Sequence, residues 1–452
     1  MDTTMKGSGL RGRGALPVVL ALLLFASGLV HAGQAQLTVA VGQPLLPADR
    51  KNVTYLKVGL TGFALTGREE RAPANVALVL DKSGSMSGEK LQHAKQAALA
   101  ALDRLGSNDI VSVVVYDTTV SVLVPATKFT DRETVRAKIM SIEADGTTAL
   151  FAGVSKAAEE IRKFSDLERA NRIILLSDGQ ANVGPSSPSE LGSLGHSLRK
   201  EGIAVSTIGL GLDYNEDLMC QLARKSDGNH CFVRHSSELE KIFAAEFGDV
   251  ATVVAQEISV KIHCADGIRP VRLLGRDGEI TGQNAYVRLS QLCSRQEKFI
   301  VLEVEVPATE AGKSREVATV TATYANMATK TTDKLSASVS VRFTTSYAEV
   351  ERSEDRKVMA HAVSMVANER NKEAMWLRDE GKVDKAREIL LKNADYVNTY
   401  ADKYNDDNLR LQYRVNNNDA SNLEGDKWEA RRKRMVSNQS IYEQQPMWTP
   451  SE

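Results

Sequence analysis

From residue 74 to about residue 249 the hydrophobic pattern switches back and forth between two periods. Short continuous apolar runs recur at 76–80, 110–115, 120–124, 171–177, 203–208 and 231–234. Runs of this length, bounded by polar turns, fit strands buried on both faces of a parallel sheet. Between them, at 89–105, 131–143, 149–164, 189–200, 215–226 and 237–248, apolar residues take the spacing of amphipathic helices. Thr130 with Glu133 reads as a capping box, and Ser187 before Pro188 as an N-cap followed by proline at the first helical position. Asp117, Thr118 and Thr119 read as a hairpin turn, which makes 120–124 an antiparallel edge strand. Strand–helix alternation of this kind predicts a doubly wound α/β domain over 73–249 with right-handed crossovers.

On both sides the period changes to two. Residues 250–345 alternate in β fashion and are punctuated by turns such as Asp266-Gly267 and Asp277-Gly278, which predicts an all-β sandwich. The stretch 33–72 holds two further strands, near 36–41 and 55–65. These are expected to complete that sandwich, with the α/β domain inserted between its parts. Residues 346–404 read as a helical hairpin, one of whose helices spans 378–396 across the Gly381-Lys382 turn. Residues 405–452, rich in Asn, Asp and Gln, read as a polar tail in which Arg431, Arg432, Lys433 and Arg434 form a solvated basic face.

Composition changes this picture little. Of 452 residues, 42% are hydrophobic and 25% charged, as in ordinary globular proteins, and the formal net charge of −1 gives no support for nucleic-acid or anionic-membrane binding. The N-terminus adds more. Lys6, Arg11 and Arg13 precede an apolar stretch from residue 15 to 30, followed by small residues around Ala32. That is the pattern of a secretory signal peptide over 1–32, so the chain is expected to be exported, to a periplasm or the cell exterior. No later stretch is long and apolar enough to read as a transmembrane segment. An oxidising compartment in turn favours disulfides among Cys220, Cys231, Cys264 and Cys293, with neighbour pairing (220–231, 264–293) keeping each bridge within one domain. His230 and His235 beside Cys231 raise zinc as a rival, without the usual C-x-x-C spacing.

The candidate chemistry lies where the apolar runs end. The strand at 76–80 stops at Asp81, and Asp81, Ser83 and Ser85 follow as D-x-S-x-S, with Gly84 allowing a tight loop. A second run ends at Asp178, and Asp145-Gly146-Thr147-Thr148 precedes a helix. Open α/β sheets hold ligands outside the carboxyl ends of their strands, so these three loops are expected on one rim. The oxygen set holds no imidazole and no thiolate, which points to a hard cation: Mg²⁺, Mn²⁺ or Ca²⁺.

The segments DKSGSMSG, DGTTA and LLSDGQANVG, in that order, resemble the metal-ion-dependent adhesion site (MIDAS) of von Willebrand factor type A domains, such as those of secreted bacterial proteins. The resemblance covers about residues 74–249 and implies a Rossmann-like type A fold. It implies that Ser83, Ser85 and Thr147 ligate Mg²⁺ through their hydroxyls, while Asp81 and Asp178 act through water or hydrogen bonds. Thr148 is the alternative to Thr147, because Asp145 stands where the family has its first glycine. It also implies a protein partner that presents an Asp or Glu carboxylate to the cation.

Catalytic patterns are incomplete. Met86 stands where a nucleophile elbow needs Ser, Gly209-Leu210-Gly211 lacks the third glycine of a dinucleotide loop, and no Walker A pattern occurs. Nothing in the sequence places His93 or His196 beside Ser83 or Ser85. The expectation is a secreted, non-enzymatic, metal-dependent protein-binding or adhesion module. Its alternative is a structural scaffold protein of the cell envelope in which the metal only stabilises the loops.

Overall fold

The computed structural model describes residues 33–67, 71–166 and 168–447; the expected leader lies outside them. Among the described residues three strands come first: β1 (Gln36–Val41), β2 (Leu45–Pro47) and β3 (Asn52–Thr61). The α/β domain follows, with β4 (Ala74–Asp81), α1 (Glu89–Leu102), β5 (Ile110–Tyr116), β6 (Val120–Lys128), α2 (Arg132–Met140) and α3 (Leu150–Arg162). It continues through β7 (Ala170–Ser177), α4 (Pro188–Lys200), β8 (Ile203–Leu210), α5 (Glu216–Ser226), β9 (His230–Val233) and α6 (Leu239–Val250). Its sheet runs β6-β5-β4-β7-β8-β9, parallel except for the antiparallel edge strand β6.

Strand alternation divides this core in two. Val76, Leu78 and Leu80 face α1, α2 and α6, whereas Ala77 and Val79 face α3, α4 and α5. Both sets are buried because helices cover both faces, which is why these strands read as continuous apolar runs. Ser187 and Glu190 form a reciprocal capping box at α4. At α2 the cap is Asp131 rather than Thr130: its carboxylate accepts from the Thr134 amide, while Thr130 turns back to the Lys128 carbonyl.

The remaining strands are β10 (Val253–Cys264), β11 (Arg269–Leu274), β12 (Glu279–Thr281), β13 (Asn284–Cys293), β14 (Glu297–Val306), β15 (Ser314–Asn326) and β16 (Thr331–Thr344). They form two sheets, β1-β3-β14-β11 and β12-β13-β10-β15-β16-β2. Leu56, Val58, Ile300 and Leu302 of the first pack against Ile258, Val260, Val287 and Val320 of the second. Both sheets take strands from before and after the α/β domain, which is therefore inserted into the sandwich.

Five helices follow among the described residues: α7 (Tyr347–Ser353), α8 (Arg356–Asp379), α9 (Val383–Tyr404), α10 (Asp407–Ser421) and α11 (Trp428–Gln444). The helix expected across the Gly381-Lys382 turn is broken there, with Gly381 at φ +79°. The expected polar tail is replaced by α10 and α11, both packed. Polar residues of α8, α9 and α10 face one another: Asn371, Asn393, Asn416 and Asp419 form a buried hydrogen-bonded set. The basic run is no solvated face either. Arg432 bridges Glu216, Asp217 and Asp379, and the buried Lys433 pairs with Glu216 at 2.6 Å. Composition misleads here because a polar helix stays ordered when its side chains pair with one another.

All four cysteines are free thiols. Cys231 lies in the core on the α1/α6 side of the sheet, whereas α5, which carries Cys220, packs its Leu218, Met219 and Leu222 on the opposite face. Cys293 pairs in register with Val253, so it sits at the far end of β10 from Cys264, roughly 35 Å away at ~3.3 Å per residue. Cys264 and Cys293 therefore lie beyond bonding distance.

The sandwich meets the α/β domain near the amino ends of its strands. Arg172, early in β7, donates to Gln291 of β13 at 2.6 Å and pairs with Glu246 of α6, and the Gln291 amide reaches the Asn171 carbonyl. Parallel strand direction then puts the carboxyl ends, and the loops that leave them, at the end away from the sandwich. Among the described residues no helix is long and apolar enough to cross a membrane.

Candidate functional site

The central strand β4 delivers Asp81 to the rim with its carboxylate fully buried. One oxygen accepts from the Ser83 amide at 2.9 Å and the other from the Ser177 hydroxyl at 2.7 Å, so Asp81 ties the ends of β4 and β7 together. The next residues form a short 3-10 turn (Gly84–Met86) whose Met86 side chain plugs into the core and anchors the loop from below. This turn brings the Ser83 and Ser85 hydroxyls to 3.0 Å from each other, and Ser85 donates to Asp178 at 2.7 Å. A chain of oxygens thus runs from Ser83 through Ser85 to Asp178, across two adjacent strands.

The third loop is pinned by its backbone. The Gly84 amide donates to the Gly146 carbonyl at 3.0 Å and the Asp145 amide to the Lys82 carbonyl at 2.7 Å. Of the two threonines here, Thr147 is exposed and its hydroxyl pairs with Thr118 at 3.0 Å. Thr148 is buried, and its amide donates to the Asn182 side chain. A β-carbon at Gly179 would lie 3.0 Å from the Thr148 hydroxyl and 3.6 Å from that of Ser85. Thr148, not Thr147, is therefore the threonine whose hydroxyl shares the space beside Ser85, and Gly179 keeps that space open. The second threonine of the pair points inward because the loop turns at Gly146, at φ +75°.

Burial raises the Asp81 pKa, and the neighbouring Asp178 adds to the effect, against hydrogen bonds from Ser177 and Ser83 that lower it. Two carboxylates buried this close call for a countercharge. Lys90, in the first turn of α1, supplies one by pairing with Asp178 at 2.5 Å. Lys82 pairs with Asp117 on the flank. Ser177, Lys90 and Asn182 were not singled out from the sequence. Ser177 and Asn182 flank Asp178 within the segment quoted above, while Lys90 looks like any exposed residue of a helix start.

The donor set fits a hard divalent cation: neutral hydroxyls on Ser83, Ser85 and Thr148, with Asp81 and Asp178 behind them. The described residues include no group of three or more His, Cys, Asp or Glu side chains that could hold a metal, so the candidate depends on hydroxyls rather than an acidic cage. His230, the rival zinc ligand, is buried against Thr207 at 2.9 Å and pushed down to about 4 by burial. His93 hydrogen-bonds Ser236 at 2.7 Å.

Comparison with known families matches residues 75–245 to the von Willebrand factor type A domain. The chain carries a type A domain. Over 227 residues it is 30% identical to the uncharacterized protein YfbK of Escherichia coli, covering 49% of this chain and 39% of that protein. Among solved structures, a von Willebrand factor type A protein of Catenulispora acidiphila superposes with a TM-score of 0.67 at 15% identity, over 85% of this chain and 91% of that one. The ArnB paralog VWA2 of Sulfolobus acidocaldarius gives 0.60 at 18% identity, over 90% and 98%. Such coverage extends the shared fold beyond the type A domain to the strands and helices around it. Type A domains commonly mediate protein–protein contacts, and many hold a divalent metal.

Proposed function

We propose that this protein is an exported binding module whose type A domain holds Mg²⁺, or Mn²⁺ or Ca²⁺, and uses it to capture an acidic side chain of a protein partner. The carrying observation is the hydrogen-bonded set Asp81, Ser83, Ser85 and Asp178, with Thr148 beside it. Ser83, Ser85 and Thr148 would hold the cation, and Asp81 and Asp178 would orient them and balance its charge. Neutral hydroxyls cancel little of the cation's charge, so a bound cation offers a strong electrophilic point to a carboxylate. Ser177 holds Asp81, and α1 points its positive end at the same rim. The rim's location, away from the sandwich, leaves room for a protein partner.

Calorimetric titration of the full chain with MgCl₂ and MnCl₂ tests the reading, wild type beside Asp81→Ala and Thr148→Ala, with circular dichroism on each. Saturable binding that both variants lose while remaining folded supports it. Binding equal in all three would sink it. The scaffold alternative predicts instead that chelation lowers the unfolding temperature while partner capture continues.

A further inference from the structure

We propose that the junction of α5, the β11–β12 loop, β13 and α11 binds a single small inorganic anion of chloride size. A cavity of ≈ 20 Å³ lies there, far from the rim, lined by Arg199, Arg224, Arg276 and Arg288 against Asp227, Asp277 and Glu443. That space admits one water or an ion slightly larger.

The carboxylates are already engaged. Asp277 accepts from Arg224 at 2.8 Å and Lys225 at 2.6 Å, Glu443 pairs with Lys372 and Arg224, and Asp227 accepts from the Ser290 amide besides its bridge to Arg276. Arg224 is engaged with them, but the other three guanidiniums are less well matched. Arg276 is the decisive one: its side chain is 5% exposed, yet its Nε has no partner. Its other donors make only long contacts, to Asp227 at 3.4 Å, the Gln444 carbonyl at 3.2 Å and the Gln445 side chain at 3.4 Å. Arg199 donates to the Arg288 carbonyl, and the Arg288 guanidinium has no hydrogen-bond or ion-pair partner among the described residues.

Burial and the like charge of Arg199 lower the Arg276 pKa, against Asp227 and Glu443. A buried guanidinium with an idle donor, among arginines that share their few acids with Lys225 and Lys372, is completed by a negative occupant. Water would fill the donor but leave the charge excess. The Gln444 side chain also borders the cavity with its Oε1 unpartnered, and its amide turned over would present two more donors. Because the four arginines come from the α/β domain and the sandwich, and α11 closes the cavity, the anion would fasten the three parts together.

The test uses the full chain and two readouts at constant ionic strength, with sodium gluconate, too large for the cavity, replacing sodium chloride. Chloride-35 NMR line broadening should saturate with wild type. It should weaken about tenfold in affinity for Arg276→Gln and about threefold for Arg288→Gln, and stay unchanged for Arg315→Gln, an arginine on β15 that donates to the Asp266 carbonyl. The unfolding temperature should rise by about 2 °C in chloride at ten times Kd and lose that rise in the two junction variants. No excess broadening in wild type, or broadening equal in all four proteins, overturns the proposal and leaves a water-filled cavity. Since Arg288 is exposed, its variant keeps the test decisive should Arg276→Gln fail to fold.

Discussion

The rim of the type A sheet and the seam where α11 covers β9 are both polar constellations at the margin of the same sheet, yet they are built in opposite ways. At the rim, three loops each contribute residues close together in sequence, and small hydroxyls hydrogen-bond in a short chain beside open solvent. At the seam, Lys433 and Arg432 of α11 meet Glu216 and Asp217 of α5 more than two hundred residues earlier, and Ser437 accepts a hydrogen bond from the Phe232 amide of the edge strand. The seam hides a strand edge that would otherwise invite pairing with another chain. At the rim Ser85 is exposed, and the other oxygens of the set lie buried just beneath it. Concentrated, partly satisfied oxygens suit ligand exchange, while fully paired buried charges suit permanent closure.

The largest expected separation of the two comes from Glu216→Ala. It leaves the buried Lys433 without a carboxylate, while Arg432 keeps Asp217 and Asp379, and should lower stability by about 3–5 kcal/mol in urea unfolding, with Mg²⁺ affinity unchanged within about twofold. A parallel loss of metal affinity would show that the regions are coupled.

The seam should also respond to acid. His230 of β9 is held neutral by burial, its pKa down to about 4 from 6.5. The unfolded chain therefore takes up a proton that the folded chain refuses, so stability is lost as pH falls from about 6.5 towards 4. The loss is ~2 kcal/mol at pH 5, and His230→Gln should flatten that part of the pH profile of the unfolding midpoint. An unchanged profile in the variant would remove His230 as its source.

Smaller effects are expected at the rim. Thr148→Ala should weaken Mg²⁺ binding about tenfold, ~1.4 kcal/mol, whereas Thr147→Ala stays within about twofold. The reverse order would restore Thr147 as the ligand. Lys90→Ala removes the charge already resting on Asp178 and should tighten Mg²⁺ binding by about fivefold. Weaker binding would mean that Lys90 helps to build the site.

The rim is largely legible in the sequence, because D-x-S-x-S, D-G-T-T and S-D-G sit beside apolar runs. The choice between Thr147 and Thr148 is not: adjacent residues point to opposite sides, and only the path of the loop past Gly146 decides which one turns inward. Lys90 carries no such mark, since nothing local distinguishes a lysine that crosses to another strand's loop from one in solvent.

By itself, the sequence determined the six strands and six helices of the α/β domain, the β character of its flanks and the loops that carry the oxygens. Each of these rests on local periodicity or on a short run of residue types, and local rules survive without knowledge of neighbours. Tertiary structure decided the rest. Cys220 and Cys231 read as bridge partners in a line of text, but the sheet stands between their sides. The polar C-terminal stretch looked like a tail and folds as two packed helices, because Asn, Asp and Arg side chains gain partners only when distant segments meet. Pairing across long separations leaves no period in a sequence, so buried charge networks and the cavity they enclose appear only once the chain is folded.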